Sequence, residues 1–177
     1  MTRIPLLMAT GALLLGACQQ RGPALGEALP GGQLATATMV TAAGQSAGRA
    51  TAREVGGGVR FTLDVSGMPP GQHGAHVHTV GRCDPPDFQT AGPHWNPTGA
   101  KHGTNNPQGP HLGDLPNIVI GSDGRGTLSF VMPGATMAGV LDPDGGSMMV
   151  HAAADDLVTD PSGNSGGRIA CGVFQPS

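Results

Sequence analysis

The alternation of hydrophobic and polar residues along the chain predicts short β-strands. Residues 59–65 alternate cleanly between apolar and polar side chains, which is the period-two pattern of a half-buried strand. Residues 127–130 repeat this pattern more briefly, and residues 34–41 and 47–54 show it weakly among threonines and alanines. Further strands are expected at residues 73–79, 117–120, 147–151 and 169–174.

About eight short strands between turns predict an all-β fold, an antiparallel sandwich or barrel, in one domain at residues 33–177. No segment after residue 17 shows a convincing helical period. Residues 80–116 and 152–168 fit no regular element. Long irregular loops in a compact domain either carry function or indicate an error in the strand assignment.

The N-terminal residues have the pattern of an export signal. Arg3 precedes an apolar run at residues 4–17, which is too short to span a bilayer and ends in Leu-Gly-Ala before Cys18. This ending resembles the bacterial lipoprotein cleavage box, which predicts a signal peptide at residues 1–17 and a lipid on Cys18. The alternatives are an ordinary signal peptide or a buried helix with a chance cysteine.

The predicted lipid anchor places the protein in the bacterial cell envelope. Residues 18–32 are rich in Gly, Pro and Ala and suit a flexible tether between the membrane and the domain. By the same resemblance, Gln19 rather than Asp after the cysteine favours the outer membrane over the inner membrane, with the domain facing the periplasm. The sequence does not indicate the oligomeric state, and the protein can be a monomer or a dimer.

Composition adds a question about stability. The 177 residues include 31 Gly and 16 Pro, and Leu, Ile, Val and Phe make up about a fifth of the chain, values typical of disordered segments. The net charge of −3 is too small to hold a chain open by repulsion. Either the chain is disordered, or something other than a large apolar core stabilises a loop-rich fold. The acidic balance and the absence of Tyr argue against a nucleic-acid partner.

The three cysteines suggest one such stabiliser. If Cys18 carries lipid, Cys83 and Cys171 remain as a pair in an oxidising compartment. The alternative is two free buried thiols, which fits a cytosolic protein better than an exported one.

All 7 histidines fall between residues 73 and 151. His76 and His78 are two apart in a predicted strand, so both side chains lie on one face and can chelate one ion. Strand parity puts His73 on the other face, where a structural role near a turn is expected. His151 follows an apolar run on another predicted strand and can supply a third imidazole. Coordination by imidazoles alone favours copper or zinc.

A second set of candidate ligands lies in the first irregular segment, among many Gly and Pro residues. It comprises His94, His102, His111 and Asp114. Three imidazoles and a carboxylate suit a tetrahedral zinc ion, which can order a loop that has few apolar contacts. The alternative is a polar loop with surface histidines.

These motifs resemble the copper,zinc superoxide dismutase family. The resemblance runs in order through GQHGAHVH (71–78), AGPHWNP (91–97), KHG (101–103), HLGDL (111–115), VH (150–151) with DDL (155–157), and GNSGGRIACGV (163–173). It implies an eight-stranded Greek-key β-barrel with the site outside it, between two long loops.

The resemblance also implies a role for each candidate ligand, with one copper and one zinc per chain. Copper would be held by His76, His78, His94 and His151. Zinc would be held by His94, His102, His111 and Asp114. His94 would therefore be the bridging imidazolate and would take part in catalysis.

Further roles follow from the same resemblance. Asp155 would link His76 and His102, Cys83 and Cys171 would form the intrachain disulfide, and Arg168 would attract and orient a small anion. The implied reaction is dismutation of superoxide to oxygen and hydrogen peroxide by a redox-cycling copper beside a structural zinc, which would protect the envelope. The alternative function is a non-enzymatic copper- and zinc-binding envelope lipoprotein.

Overall fold

The computed structural model describes residues 22–177. The predicted signal peptide and Cys18 lie outside these residues. Within the described part, no helix is long and apolar enough to cross a bilayer.

The described residues form ten strands, and most coincide with the predicted ones. In chain order they are β1 Leu34–Thr41, β2 Ser46–Val55, β3 Gly58–Val65, β4 Gly71–His73, β5 Ala75–His78, β6 Ile118–Ile120, β7 Gly126–Pro133, β8 Ser147–His151, β9 Arg168–Val173 and β10 Gln175–Pro176. One α-helical turn, α1 (Met137–Val140), and one 3₁₀ turn (Gln89–Ala91) were not predicted. A single turn is too short to show a helical period.

The strands form a curled antiparallel sheet in the order β5-β8-β9-β1-β2-β3-β7, with β10 paired to β1, and a separate pair, β4–β6. Because β1 lies between β2 and β9, and β3 pairs with β7, distant parts of the chain become neighbours, as in Greek-key folds. The predicted all-β Greek-key class is confirmed. The segment predicted as one strand at residues 73–79 is divided at Gly74 into β4 and β5.

The core lies inside the curled sheet and uses many small side chains. Buried and less buried positions alternate along β1 and β3, as the sequence pattern predicts. The buried residues include alanines on β1 and β2, such as Ala37 and Ala50, beside larger groups such as Phe61 and Met148. This packing explains how a chain with few large apolar residues forms a core.

A disulfide joins Cys83 of the loop after β5 to Cys171 of β9, as predicted. The two residues are 88 positions apart. In the chain-entropy model, closing a loop of that size stabilises the fold by about 4.5 kcal/mol. Cys171 is fully buried beside Phe88 and Met149 in a small second core.

Part of the segment predicted as a tether lies against the domain. Gly26 donates a backbone hydrogen bond to Gly56 at 2.8 Å, and Gly56 donates to Glu27 at 2.8 Å. The Arg60 guanidinium donates to the Gly26 carbonyl at 2.7 Å. Residues 24–28 are therefore fixed to the β2–β3 turn.

Two long loops remain irregular, as predicted, and they contact each other. The first loop (residues 79–117) joins β5 to β6, and the second loop (residues 152–167) joins β8 to β9. The Asn105 N–H donates to the Leu157 carbonyl at 2.9 Å. Gly103 makes the approach possible, because a Cβ there would lie 2.1 Å from the Leu157 carbonyl oxygen. The metal-ligand candidates lie around this junction.

Candidate metal centre

Four of the predicted ligands come together as a four-histidine group, formed by His76, His78, His94 and His151. β5 supplies His76 and His78, β8 supplies His151, and these two strands pair directly. The first loop brings His94 beside His78 through an isolated β-bridge. One ring nitrogen from each residue lies within 4.8 Å of the others.

The nitrogens that face one another in this group have no hydrogen-bond partner. The unpartnered buried atoms are His76 Nδ1, His78 Nε2, His94 Nε2 and His151 Nε2. An unsatisfied buried polar atom costs about 1–3 kcal/mol, so four together indicate that a cation belongs there. Burial holds the pKa of His94 at about 4 and that of His151 at about 3, so both rings are neutral and can bind metal at pH 7.

Backbone carbonyls select which nitrogen faces the group. His78 Nδ1 donates to the Gly92 carbonyl at 2.8 Å, and His151 Nδ1 donates to the Gly166 carbonyl at 3.2 Å. Because a neutral imidazole carries one proton, each of these bonds leaves the Nε2 lone pair free for a metal.

A second group contains three histidines and one aspartate and is called here the three-histidine–aspartate group. The Nδ1 atoms of His94, His102 and His111 lie 2.9, 3.1 and 3.1 Å from Asp114 Oδ1. Donors around a tetrahedral zinc ion are about 3.3 Å apart, given Zn–N distances of about 2.0–2.1 Å. All four side chains are buried, and this donor set fits zinc.

Asp114 is oriented by the backbone. Its Oδ2 accepts from the N–H groups of Gly103 at 2.8 Å and His111 at 3.0 Å, which leaves Oδ1 to face the imidazoles. Burial alone would raise the pKa of this carboxyl, but the adjacent imidazoles of His102, His111 and His94 outweigh burial and hold the pKa far below its usual range. The carboxylate is therefore charged and available to a cation.

His94 belongs to both groups. Its Nδ1 lies beside Asp114 Oδ1 at 2.9 Å, while its Nε2 is among the unpartnered atoms of the four-histidine group. One ring can thus contact two metal ions at once, as the resemblance implies for a bridging ligand.

Asp155 connects the two groups through one histidine of each, His76 and His102. Its carboxylate accepts from His76 Nε2 at 2.6 Å and from His102 Nε2 at 3.0 Å, so in the neutral form of each ring the proton lies on Nε2 and Nδ1 is left for a metal. Burial lowers the pKa of His102, but its carboxylate neighbours Asp114 and Asp155 outweigh burial and raise it to about 9. The amide of Asn117 fixes Asp155 through two bonds to its backbone, at 2.8 and 2.9 Å.

Arg168 lies at the start of β9 beside the four-histidine group. Its guanidinium donates to the carbonyls of Phe88 at 2.7 Å and Gly92 at 2.8 Å. With His78, His94 and His151 it lines a cavity of about 320 Å³, called here the arginine cavity. A fixed positive charge therefore stands at an opening to the four-histidine group.

His73 has the structural role that was predicted, although the parity argument assumed one continuous strand. Its two ring nitrogens lie 2.8 Å from the His151 carbonyl and 3.0 Å from the Pro69 carbonyl. It belongs to neither group and supports the backbone of His151.

Sequence reasoning missed Asn117 and the carbonyls of Gly92 and Gly166. A carbonyl carries no sequence signal, because every residue has one. Asn117 lies at the end of the first loop, and only its contact with Asp155 identifies it.

The fold and the site define a β-sandwich metalloprotein with two adjoining metal-binding groups, and comparison with known proteins agrees. Residues 46–174 match the family profile of copper/zinc superoxide dismutase. A protein named superoxide dismutase [Cu-Zn] 1 from Aquifex aeolicus is 39% identical over 145 residues, or 78% of this chain and 86% of that protein.

Solved structures show the same relationship. The crystal structure of a SOD-like protein from Bacillus subtilis matches with a TM-score of 0.75 at 36% identity, covering 79% of this chain and 97% of that chain. The Cu/Zn superoxide dismutase from Brucella abortus matches with a TM-score of 0.68 at 30% identity, covering 80% and 99%. The chain belongs to the copper/zinc superoxide dismutase family.

Proposed function

We propose that this protein is a superoxide dismutase that converts superoxide to oxygen and hydrogen peroxide with one copper and one zinc per chain. The observation that carries the proposal is the pair of buried donor groups that share His94 beside a fixed arginine. Family membership supports the same activity.

We assign copper to His76, His78, His94 and His151, because a set of neutral imidazoles suits copper. We assign zinc to His94, His102, His111 and Asp114, because the set is that of a tetrahedral zinc site. Bound copper would supply one-electron chemistry, taking an electron from one superoxide and giving one to the next. Zinc has no second redox state and would fix His94 and the loop.

The chain's own residues guide the substrate and a proton. The Arg168 guanidinium, held by two carbonyls, attracts a small anion into the arginine cavity and orients it beside His94 and His151. His94 Nε2 has no protein partner, so it would be the atom that holds the proton of the ring when Nδ1 is bound to a cation and Nε2 is not. Asp155 keeps His76 and His102 in the tautomers that bind metal.

The test is metal analysis combined with an activity assay. Copper and zinc are quantified per chain, and superoxide removal is measured before and after selective copper extraction and after copper is restored. We expect activity to follow copper content. Bound metal without copper-dependent activity would instead indicate the alternative, a non-enzymatic metal-binding protein.

We also propose that Cys18 carries a lipid and anchors the protein in the envelope, with residues 1–17 removed. This rests on the cleavage-box pattern before Cys18 and on Gln19, which favours the outer membrane. Since residues 24–28 are fixed to the β2–β3 turn, only a few residues would separate the lipid from the domain. Each extended residue spans at most about 3.6 Å, so the domain would sit close to the membrane.

The anchor is tested with Cys18→Ser in the producing bacterium. We expect wild type in the outer-membrane fraction and incorporating labelled fatty acid, and the variant unlabelled and absent from that fraction. Wild type without label would refute the anchor and leave the enzymatic proposal untouched.

A further inference from the structure

A groove of about 370 Å³ opens beside the three-histidine–aspartate group, at the junction of the two loops. His94 and His111 line it, together with Lys101 of the first loop and Asp160 of the second. The groove and the arginine cavity share Pro93, His94 and Pro161 and so reach the metal-binding groups from two directions.

The His111 ring separates the groove from the buried donors. Its Nδ1 lies 3.1 Å from Asp114 Oδ1, whereas its Nε2 lies 4.0 Å from Asp160 Oδ1. His102 and Asp114 are only 0% and 1% exposed. A cation that enters through the groove therefore meets His111 and Asp160 first.

The charges at the two openings differ. In the arginine cavity the Arg168 guanidinium is hydrogen-bonded to two backbone carbonyls, so its positive charge is not neutralised by these partners. This charge repels a cation. In the groove the charge that faces His111 is the Asp160 carboxylate, and Lys101 Nζ pairs with it at 3.0 Å. Both partners of this ion pair are partly exposed, so the pair is weak and can exchange.

We propose that Asp160 and His111 Nε2 form the entry site through which Zn²⁺ reaches the three-histidine–aspartate group, and that Lys101 competes with the ion for Asp160. A carboxylate oxygen and an imidazole nitrogen are both zinc donors. Their separation of 4.0 Å is longer than the spacing of about 3.3 Å around a tetrahedral ion, so the partly exposed Asp160 side chain has to move toward His111 to share an ion with it. The proposal rests on the zinc assignment made above.

The experiment measures metal uptake by the full chain with its disulfide intact and its metals removed. Co²⁺ is the probe, because its visible absorption reports tetrahedral coordination as it binds. We expect Asp160→Asn to slow Co²⁺ uptake by about tenfold, since removing a charge at the mouth of a site changes association rates on this scale. Lys101→Met should accelerate uptake, and both effects should shrink at high salt.

The opposite effects of the two variants on the rate of Co²⁺ uptake distinguish an entry site from an ion pair that only holds the loops together. Asn keeps an acceptor for the His102 N–H, which Asp160 Oδ1 binds at 2.9 Å. If the ion pair only held the loops together, both variants would change uptake in the same direction. Asp156→Asn is the matched control, because Asp156 is an exposed acid of the same loop that caps Val158 and Thr159 and does not line the groove.

The final Co²⁺ spectrum and affinity test the zinc assignment separately. A tetrahedral spectrum in wild type with slowed uptake in Asp160→Asn and faster uptake in Lys101→Met supports the entry site. Equal rates in all variants, or changes of the same sign, overturn it even when the zinc assignment holds. A wild-type chain that gives no tetrahedral spectrum refutes the zinc assignment itself.

Discussion

Replacing Asp155 with Asn tests whether one buried carboxylate sets the tautomers of both metal-binding groups. In wild type, the carboxylate accepts from His76 Nε2 at 2.6 Å and from His102 Nε2 at 3.0 Å. An amide of the same shape has one oxygen, so its NH₂ must face one of the two rings. That ring has to accept at Nε2, which moves its proton to the Nδ1 needed for metal binding.

The magnitude follows from the bond that is lost. A hydrogen bond to a charged group contributes about 1.5–3 kcal/mol. At 1.36 kcal/mol per decade, that corresponds to a loss of about 10–100-fold in affinity for at least one of the two metals. This range agrees with the typical effect of removing a group that orients a metal ligand.

The assay is competition of the metal-free protein against a chromophoric chelator, with Cu²⁺ and Zn²⁺ titrated separately. Asp156→Asn is the control, because this neighbouring acid is exposed and its oxygens bind Val158, Thr159 and Asn164 and no histidine. If Asp155→Asn bound both metals as tightly as wild type, the tautomer argument would be wrong.

Three further predictions concern the substrate, the disulfide and pH. Arg168→Ala should lower the rate of superoxide removal at least about tenfold and flatten its salt dependence, and a steep salt dependence retained in the variant would contradict steering by Arg168. A chelator together with a reductant should lower the melting temperature far more than either alone, because the disulfide contributes about 4.5 kcal/mol and bound metals add to it; an unchanged melting temperature would contradict this. The metal-free protein should be most stable near pH 6.5. Below it, the unfolded chain binds protons that buried His94 (pKa about 4) and His151 (pKa about 3) do not. Above it, the stability from protonated His102 is lost as the pH rises through about 9. Urea unfolding across this range measures the profile, and stability rising continuously toward pH 9 would contradict it.

The sequence determined the local strands and the chemical inventory. Alternation predicted β3 clearly and β1 weakly, because each of these strands has one buried face and every second residue lies on it. β8 is buried at every position and shows no such alternation. The candidate ligands were recognised because imidazoles and a carboxylate concentrated in a loop have few other uses. Their division between the two metals came from motif resemblance, and the spacing alone did not give it.

Only the tertiary structure decided how these residues meet. His78 and His94 lie in one group because the first loop folds back on β5, and His151 joins them because β8 pairs with β5. The choice of ring nitrogen depends on carbonyls such as that of Gly92, and the division of the predicted strand at Gly74 depends on pairing with different partners. Such contacts join residues far apart in the chain. Local periodicity cannot encode them, because they arise from the packing of the whole sheet and its two loops.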